Sequence, residues 1–242
     1  MKIGVYIMII NYAHRGASAY APENTFASFY LAIEMNADGI ETDVQKTRDH
    51  VLVLFHDEKL NRITGQSGSI SDFTYSELLD FDFGSYKGNK YKNERIVTLY
   101  DMLKYLGGKD LKFIIEIKVE DIEEDVLKII YKFNCDSKVT ITSFNLCSLK
   151  KIRDLDSTIE IGFLTDGIKE STLRSLENWN IKQICPNIEF IDYQKVRYAK
   201  KLGYSVRCWG VKTIELMHKA LQCGIDGMTV DFPDKLAEVL KK

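Results

Sequence analysis

Three prolines in 242 residues, and no recognisable linker or repeat, give no sign of a chain broken into tethered pieces. The five cysteines (Cys135, Cys147, Cys185, Cys208 and Cys223) are odd in number, widely spaced and form no Cys-x-x-Cys pair. That spacing suggests neither a disulfide framework nor a zinc cage, and reduced thiols fit a cytoplasmic protein. Charge of one sign is also missing: 33 basic against 35 acidic residues leave a net charge of −2. No long-range field draws in nucleic acid or an anionic membrane, so a partner has to be read from a site. No apolar run approaches the roughly 18 residues of a membrane span, and stable membrane insertion is not expected. The opening MKIGVYIMII resembles the apolar part of a signal peptide, but the run is short and Asn11 is a poor residue near a cleavage site. Cutting near Ala13 would also remove a β-branched strand that leads into His14.

What is present is core-forming material, 45% apolar and 28% charged. Short β-branched runs alternate with helical patterns along the chain. Strands are expected at 6–13, 39–44, 113–117, 138–142, 160–163, 181–185, 205–208 and 227–230. Helices are expected to begin near Thr25, Thr98, Ile122, Leu146, Glu170, Tyr193, Thr213 and Pro233, several behind capping residues. Eight alternations predict an α/β fold, a (β/α)8 TIM barrel forming one domain over residues 1–242. An open doubly wound sheet is the alternative. About 55 residues separate the second strand from the second helix, too many for a structureless loop. Within this interval HVLVLFHD alternates like an extra strand, and a flap or small subdomain is expected over about 57–95. Its Lys87, Lys90, Lys92 and Arg95 read as a solvated loop. The sequence carries no sign of an oligomeric state.

In DGIETDV, Glu41 and Asp43 stand two apart and share a strand face; FIIEIKV does the same for Glu116 and Lys118. The C-terminal ends of barrel strands gather at one mouth, so three carboxylates from distant segments would converge there. Clustered carboxylates repel one another and lose hydration unless a cation neutralises them. An all-oxygen set without clustered His or Cys suits one hard divalent ion, Mg2+ or Ca2+. Of only four histidines, His14 and His56 directly follow strand-like runs, whereas His50 lies in a turn and His218 in a helix. Imidazole near pH 7 can both take and give a proton. Arg15 and Lys118 offer fixed positive charge for phosphate oxygens, although Arg15 could instead pair with Glu23 or Asp43. Gly16 would let the backbone turn away without blocking the mouth.

HRGASAYAPENTFASF, DGIETDVQKTRDHVLVLFHD and IIEIK, followed by VRCWGVKT and GIDGMTVDFP, together resemble the glycerophosphodiester phosphodiesterase (GDPD) family. The resemblance runs in order from the first strand to Pro233, including the insertion after the second histidine. It implies a barrel that hydrolyses small-molecule glycerophosphodiesters to glycerol 3-phosphate and an alcohol with a divalent metal. Carried over by position, it implies His14 and His56 as the acid–base pair and Glu41, Asp43 and Glu116 as metal ligands. Arg15 and Lys118 match phosphate-binding positions, and Trp209 an aromatic that packs on the glycerol carbons. Glu23 and Asn24, in PENT, would mainly hold the loop and cap a helix. Where the family commonly shows Trp-Thr-Val-Asn and Thr-Asp, this chain has Trp209-Gly210-Val211-Lys212 and Val230-Asp231. Arg207 could reach the mouth, but an ion pair with a neighbouring strand is expected. Two other functions are weighed. One is lysophospholipase D-like cleavage, with Phe73, Tyr75, Phe81 and Phe83 receiving an acyl chain unless they form the flap's own core; the other is non-catalytic binding of glycerol phosphates.

Overall fold

The protein is described by a computed structural model covering residues 9–241. The stretch before Ile9, including the first part of the strand expected from residue 6, lies outside the described residues. The chain begins with β1 (Ile10–His14), α1 (Phe26–Glu34), β2 (Gly39–Lys46) and β3 (Leu52–Leu54), followed by two single-turn helices, α2 (Asn61–Thr64) and α3 (Tyr75–Leu78). The alternation resumes with α4 (Leu99–Leu106), β4 (Lys112–Ile117), α5 (Glu123–Lys132), β5 (Val139–Ser143), α6 (Leu146–Leu155), β6 (Glu160–Thr165) and α7 (Glu170–Glu177). It ends with β7 (Gln183–Pro186), α8 (Tyr193–Lys201), β8 (Ser205–Val211), α9 (Ile214–Cys223), β9 (Gly227–Val230) and α10 (Pro233–Leu240).

All strands except β3 pair in parallel in the order β1-β9-β8-β7-β6-β5-β4-β2, and β1 pairs with β2 to close a TIM barrel. The short β3 runs antiparallel along β2 and supplies the extra strand read in HVLVLFHD. Helix starts follow local chemistry: the side chains of Thr25, Thr98, Asn145, Asp192 and Thr213 each accept a backbone N–H of the first turn. In α4 the buried residues Leu99, Met102, Leu103 and Leu106 fall on one helical stripe, which turns that face onto the barrel.

Strand alternation sorts the barrel into two environments. Ala13, Ile40, Val44, Phe113, Ile115, Ile117, Ile141, Val206, Cys208, Met228 and Val230 pack in the aliphatic layer between strands and helices. Their alternates Tyr12, Glu41, Asp43, Glu116, Thr140, Thr142, Arg207 and Thr229 are buried but lie outside that layer. Barrel interiors are usually filled by branched aliphatics. A polar interior costs free energy unless its groups are paired, so this one marks where the fold gives up stability for chemistry.

From β3 to the start of α4 the chain builds a separate small core from Val53, Phe55, Leu60, Ile63, Ile70, Leu78, Phe83 and Ile96. Capping boxes at Ser69/Asp72 and Thr74/Glu77 start its short turns. Phe73 and Phe81 meet edge-on at 5.2 Å and Phe55 and Phe83 at 6.0 Å, so these aromatics pack on one another inside the flap.

Candidate active site

The register Asp43↔Glu116 brings the strand faces carrying Glu41 and Asp43 against that carrying Glu116. One oxygen from each carboxylate lies within 4.8 Å of the others, and the three residues are 4%, 1% and 8% exposed. Burial and the Asp43 charge push the Glu41 carboxyl upward, and the same two causes push Glu116 up to about 7. Burial opposes ionisation of Asp43 as well, but Arg15, His56 and Lys118 outweigh it and hold that pKa below the ordinary range. Lys118 Nζ donates to Glu116 Oε1 at 2.9 Å and stands 3.8 Å from Asp43 Oδ1. Asp43 Oδ1 is buried with no hydrogen-bond partner. An orphaned buried oxygen among carboxylates that resist joint ionisation, all of them hard donors, fits a divalent cation.

His14 ends β1, and its Nδ1 donates to Asp231 Oδ1 at 2.5 Å; that oxygen also accepts from Ser18 Oγ at 3.1 Å. Its Nε2 is 4.0 Å from Glu41 Oε2. His56 follows β3 by two residues, and its Nδ1 donates to Asp57 Oδ1 at 2.7 Å. Ionised carboxylates only accept, so both rings carry a proton on Nδ1 and keep Nε2 for the pocket. Burial disfavours charging His14, but the bond to Asp231 and the Glu41 charge prevail and raise its pKa. Burial lowers that of His56, with Arg15 adding to the effect and Asp43 opposing it.

Arg15 sits at φ 55°, which aims its side chain back toward β2. Its Nη1 bonds Glu23 Oε1 at 2.7 Å and its Nε lies 3.2 Å from Asp43 Oδ2, so both ion pairs weighed from sequence are present. Gly16 (φ 82°) is required for a reason other than clearing the mouth: a Cβ there would come 2.6 Å from the backbone carbon of Ser28 in α1. Asn24 does more than hold its loop, donating to Asp43 Oδ2 at 3.1 Å and accepting from Thr42 Oγ1 at 2.7 Å. The cap of α1 is Thr25. The register of β8 against β9 shifts between Cys208 and Val211, with Gly210 at φ 77°. There Trp209 Nε1 donates to Cys185 O at 3.0 Å and Thr165 O at 3.2 Å, and the ring meets Phe144 edge-on at 5.4 Å. The ion pair expected for Arg207 is replaced by polar contacts. Its neighbours on the adjacent strands, the Thr229 hydroxyl and the Gln183 amide oxygen, are uncharged and accept from it.

These groups surround one pocket of about 260 Å3 at the C-terminal mouth, lined by His14, Arg15, Glu41, His56, Glu116, Lys118 and Trp209, with Asp43 behind Glu41 and Glu116. Asp57, Arg62 and Phe144 belong to the arrangement and were not singled out from the sequence; Asp231 was read there only as a motif position with no role. The adjacency of Asp57 to His56 was a usable signal; Asp231 stood in the closing motif as Val230-Asp231, but its pairing with His14, 217 residues away, was not legible. The pocket offers a carboxylate cluster compatible with a divalent cation, two oriented imidazoles and two fixed positive charges, a set suited to hydrolysing a phosphodiester.

Residues 14–235 match the sequence profile of the glycerophosphoryl diester phosphodiesterase family. A glycerophosphodiester phosphodiesterase of Caldanaerobacter subterraneus subsp. tengcongensis is 37% identical over 95% of this chain and 97% of its own. One from Bacillus altitudinis is 32% identical over 94% of this chain and 96% of its own. Among solved structures, an Oleispira antarctica phosphodiesterase in complex with the product sn-glycerol-3-phosphate superposes with a TM-score of 0.88 at 29% identity, covering 97% of this chain and 98% of that one.

Proposed function

The chain belongs to the glycerophosphoryl diester phosphodiesterase family, and we propose that its pocket cleaves glycerophosphodiesters to glycerol 3-phosphate and an alcohol by metal-assisted acid–base catalysis. The observation that carries this reading is the buried cluster of Glu41, Asp43 and Glu116 beside a cavity that the half-buried His14 and His56 also line. Glu41, Asp43 and Glu116 would hold the cation, Mg2+ or Ca2+. When bound it would supply Lewis-acid polarisation of a phosphate oxygen and screen charge that builds up at phosphorus.

The remaining work falls to side chains. Arg15 and Lys118 neutralise non-bridging oxygens as the dianionic charge develops, and their pairing with Glu23 and Glu116 keeps them in place before the substrate arrives. One imidazole takes a proton from the attacking oxygen through Nε2 while the other gives a proton to the departing alkoxide. Asp231 and Asp57 fix each ring by its Nδ1. The Trp209 indole, tied at its N–H, presents its ring to the glycerol carbons.

Alcohol release from sn-glycero-3-phosphocholine, with and without chelator and added Mg2+ or Ca2+, tests the reading. Glu116→Ala is expected to abolish cation-dependent activity. His14→Ala and His56→Ala should lose turnover, by about 100-fold or more for removal of a general acid or base, while cation binding by calorimetry persists. Full turnover in either histidine variant would overturn the acid–base assignment, and activity indifferent to chelation would overturn the metal.

A further inference from the structure

Arg62 lies in α2, within the flap, and does not line the pocket. Its guanidinium nevertheless makes two forked ion pairs. Nε and Nη2 bond Asp57 Oδ2 and Oδ1 at 2.6 and 3.0 Å, and Nη1 and Nη2 bond Glu23 Oε2 and Oε1 at 2.7 and 2.8 Å. Asp57 holds Nδ1 of His56, and Glu23 Oε1 also holds Arg15 Nη1 at 2.7 Å. One flap residue therefore joins the carboxylate behind a catalytic-site imidazole to the carboxylate behind a phosphate-facing guanidinium. The backbone of the same loop is gripped from the flap too: Glu23 N–H donates to Tyr86 Oη at 2.8 Å, and Tyr91 Oη donates to the Tyr20 carbonyl at 2.9 Å.

A merely stabilising role does not account for this arrangement. The Arg62 side chain is 47% exposed, while the carboxylates of Glu23 and Asp57 that it grips are 12% and 24% exposed, so the pairs hold the flap in place but stability alone does not require that both ends lead to pocket residues. What a forked guanidinium does supply is orientation, since two parallel N–H···O bonds fix the plane of each carboxylate it meets. A lysine, a point charge on a flexible stem, cannot hold two carboxylates in this way.

We propose that Arg62 is a positioning residue of the reaction, holding Asp57 so that His56 keeps Nε2 toward the substrate, and holding Glu23 so that Arg15 keeps its guanidinium over the phosphate position. The proposal rests on the reading that His56 and Arg15 act in turnover, and the test separates the two. Arg62→Gln and Arg62→Lys are made in the full chain and in a His56→Gln background, and assayed with Mg2+ and sn-glycero-3-phosphocholine. Ring 15N shifts of His56 are recorded in the unmutated protein and in both single variants.

Arg62→Gln is expected to lower kcat by about 10- to 100-fold, as loss of a ligand-orienting partner does elsewhere. It should weaken inhibition by glycerol 3-phosphate by about tenfold, the size of one lost charge-assisted contact. Arg62→Lys should recover part of kcat. The His56 ring should change from Nδ1–H alone to a mixture of tautomers, and Arg62→Gln should cost less in kcat once His56 is gone, leaving only the share that runs through Glu23 and Arg15. An unmutated kcat with an unchanged His56 tautomer would overturn the proposal, as would an equal fold-loss in the His56→Gln background. If His56→Gln itself turns over normally the catalytic reading fails, and the 15N tautomer still decides whether Arg62 orients the ring.

Discussion

Asp231 governs how His14 titrates. Burial alone would push the His14 pKa down; the 2.5 Å bond to ionised Asp231 and the Glu41 charge reverse that and leave it above 6.5. His56 lies on the other side of 6.5, because burial and Arg15 outweigh its attraction to Asp43. His14 therefore holds its proton to higher pH than His56, and kcat/KM should follow a bell whose alkaline limb reports His14. Asp231→Asn removes the charge that favours imidazolium, so the alkaline limb is expected to move to lower pH while the acid limb stays. A pH profile with both limbs unmoved would show that Asp231 does not tune this ring. The mutation should leave folding nearly intact, since Asn can still accept from Nδ1.

Among the elements, the flap is the one whose stability can be separated from the barrel's. Leu78 and Ile70 are fully buried in its own small core, and Leu78→Ala is expected to cost about 2–5 kcal/mol of local stability. Hydrogen exchange should show the loss over residues 55–96 with barrel strands unaffected; uniform loss across the barrel would mean that the two cores unfold as one. Gly16→Ala should cost at least about 1–3 kcal/mol, because it combines φ 82° with a clash against the backbone of α1, and thermal unfolding would measure it. The barrel elements were legible in the sequence because period-2 and period-3.6 patterns are local: β2, β4, β5, β8 and β9 lie within a few residues of where the alternation put them. The flap's short helices were not, since four-residue turns such as Asn61–Thr64 carry no periodicity and depend on caps and on a core assembled from scattered residues. Site residues followed the same division. Glu41, Asp43, Glu116 and the two histidines could be nominated from strand faces and strand ends. The polar contacts behind them, Asp231 to His14, Asn24 to Asp43 and, through Asp57 and Arg15, Arg62 to Glu23, join residues distant in sequence that no local window contains.

For the whole molecule, the buried carboxylates tie stability, pH and cation binding together. Without a cation, Glu116 is raised from 4.5 to about 7 by burial and by Asp43, so the folded protein holds that proton more tightly than the unfolded chain. The resulting stabilisation is complete below the unfolded value and disappears as pH rises through about 7, a difference on the order of 3 kcal/mol. Glu41 acts in the same sense. Asp43 acts in the opposite one, and its contribution fades only as pH falls below the ordinary aspartate range. A divalent cation at the three carboxylates must displace the Glu116 proton, so its binding should strengthen across the same interval in which the cation-free protein weakens. At a concentration about 100 times its Kd a ligand of the folded state adds about 2.7 kcal/mol. The rise in Tm on adding Mg2+ or Ca2+ is therefore expected to be small near about pH 5 and several degrees larger near about pH 8. In Glu116→Ala the Glu116 share of the pH-dependent loss and most of the cation response should vanish together, while the share carried by Glu41 stays. An equal cation-induced shift at both pH values would show that the ion binds elsewhere, or that these carboxylates are already ionised without it.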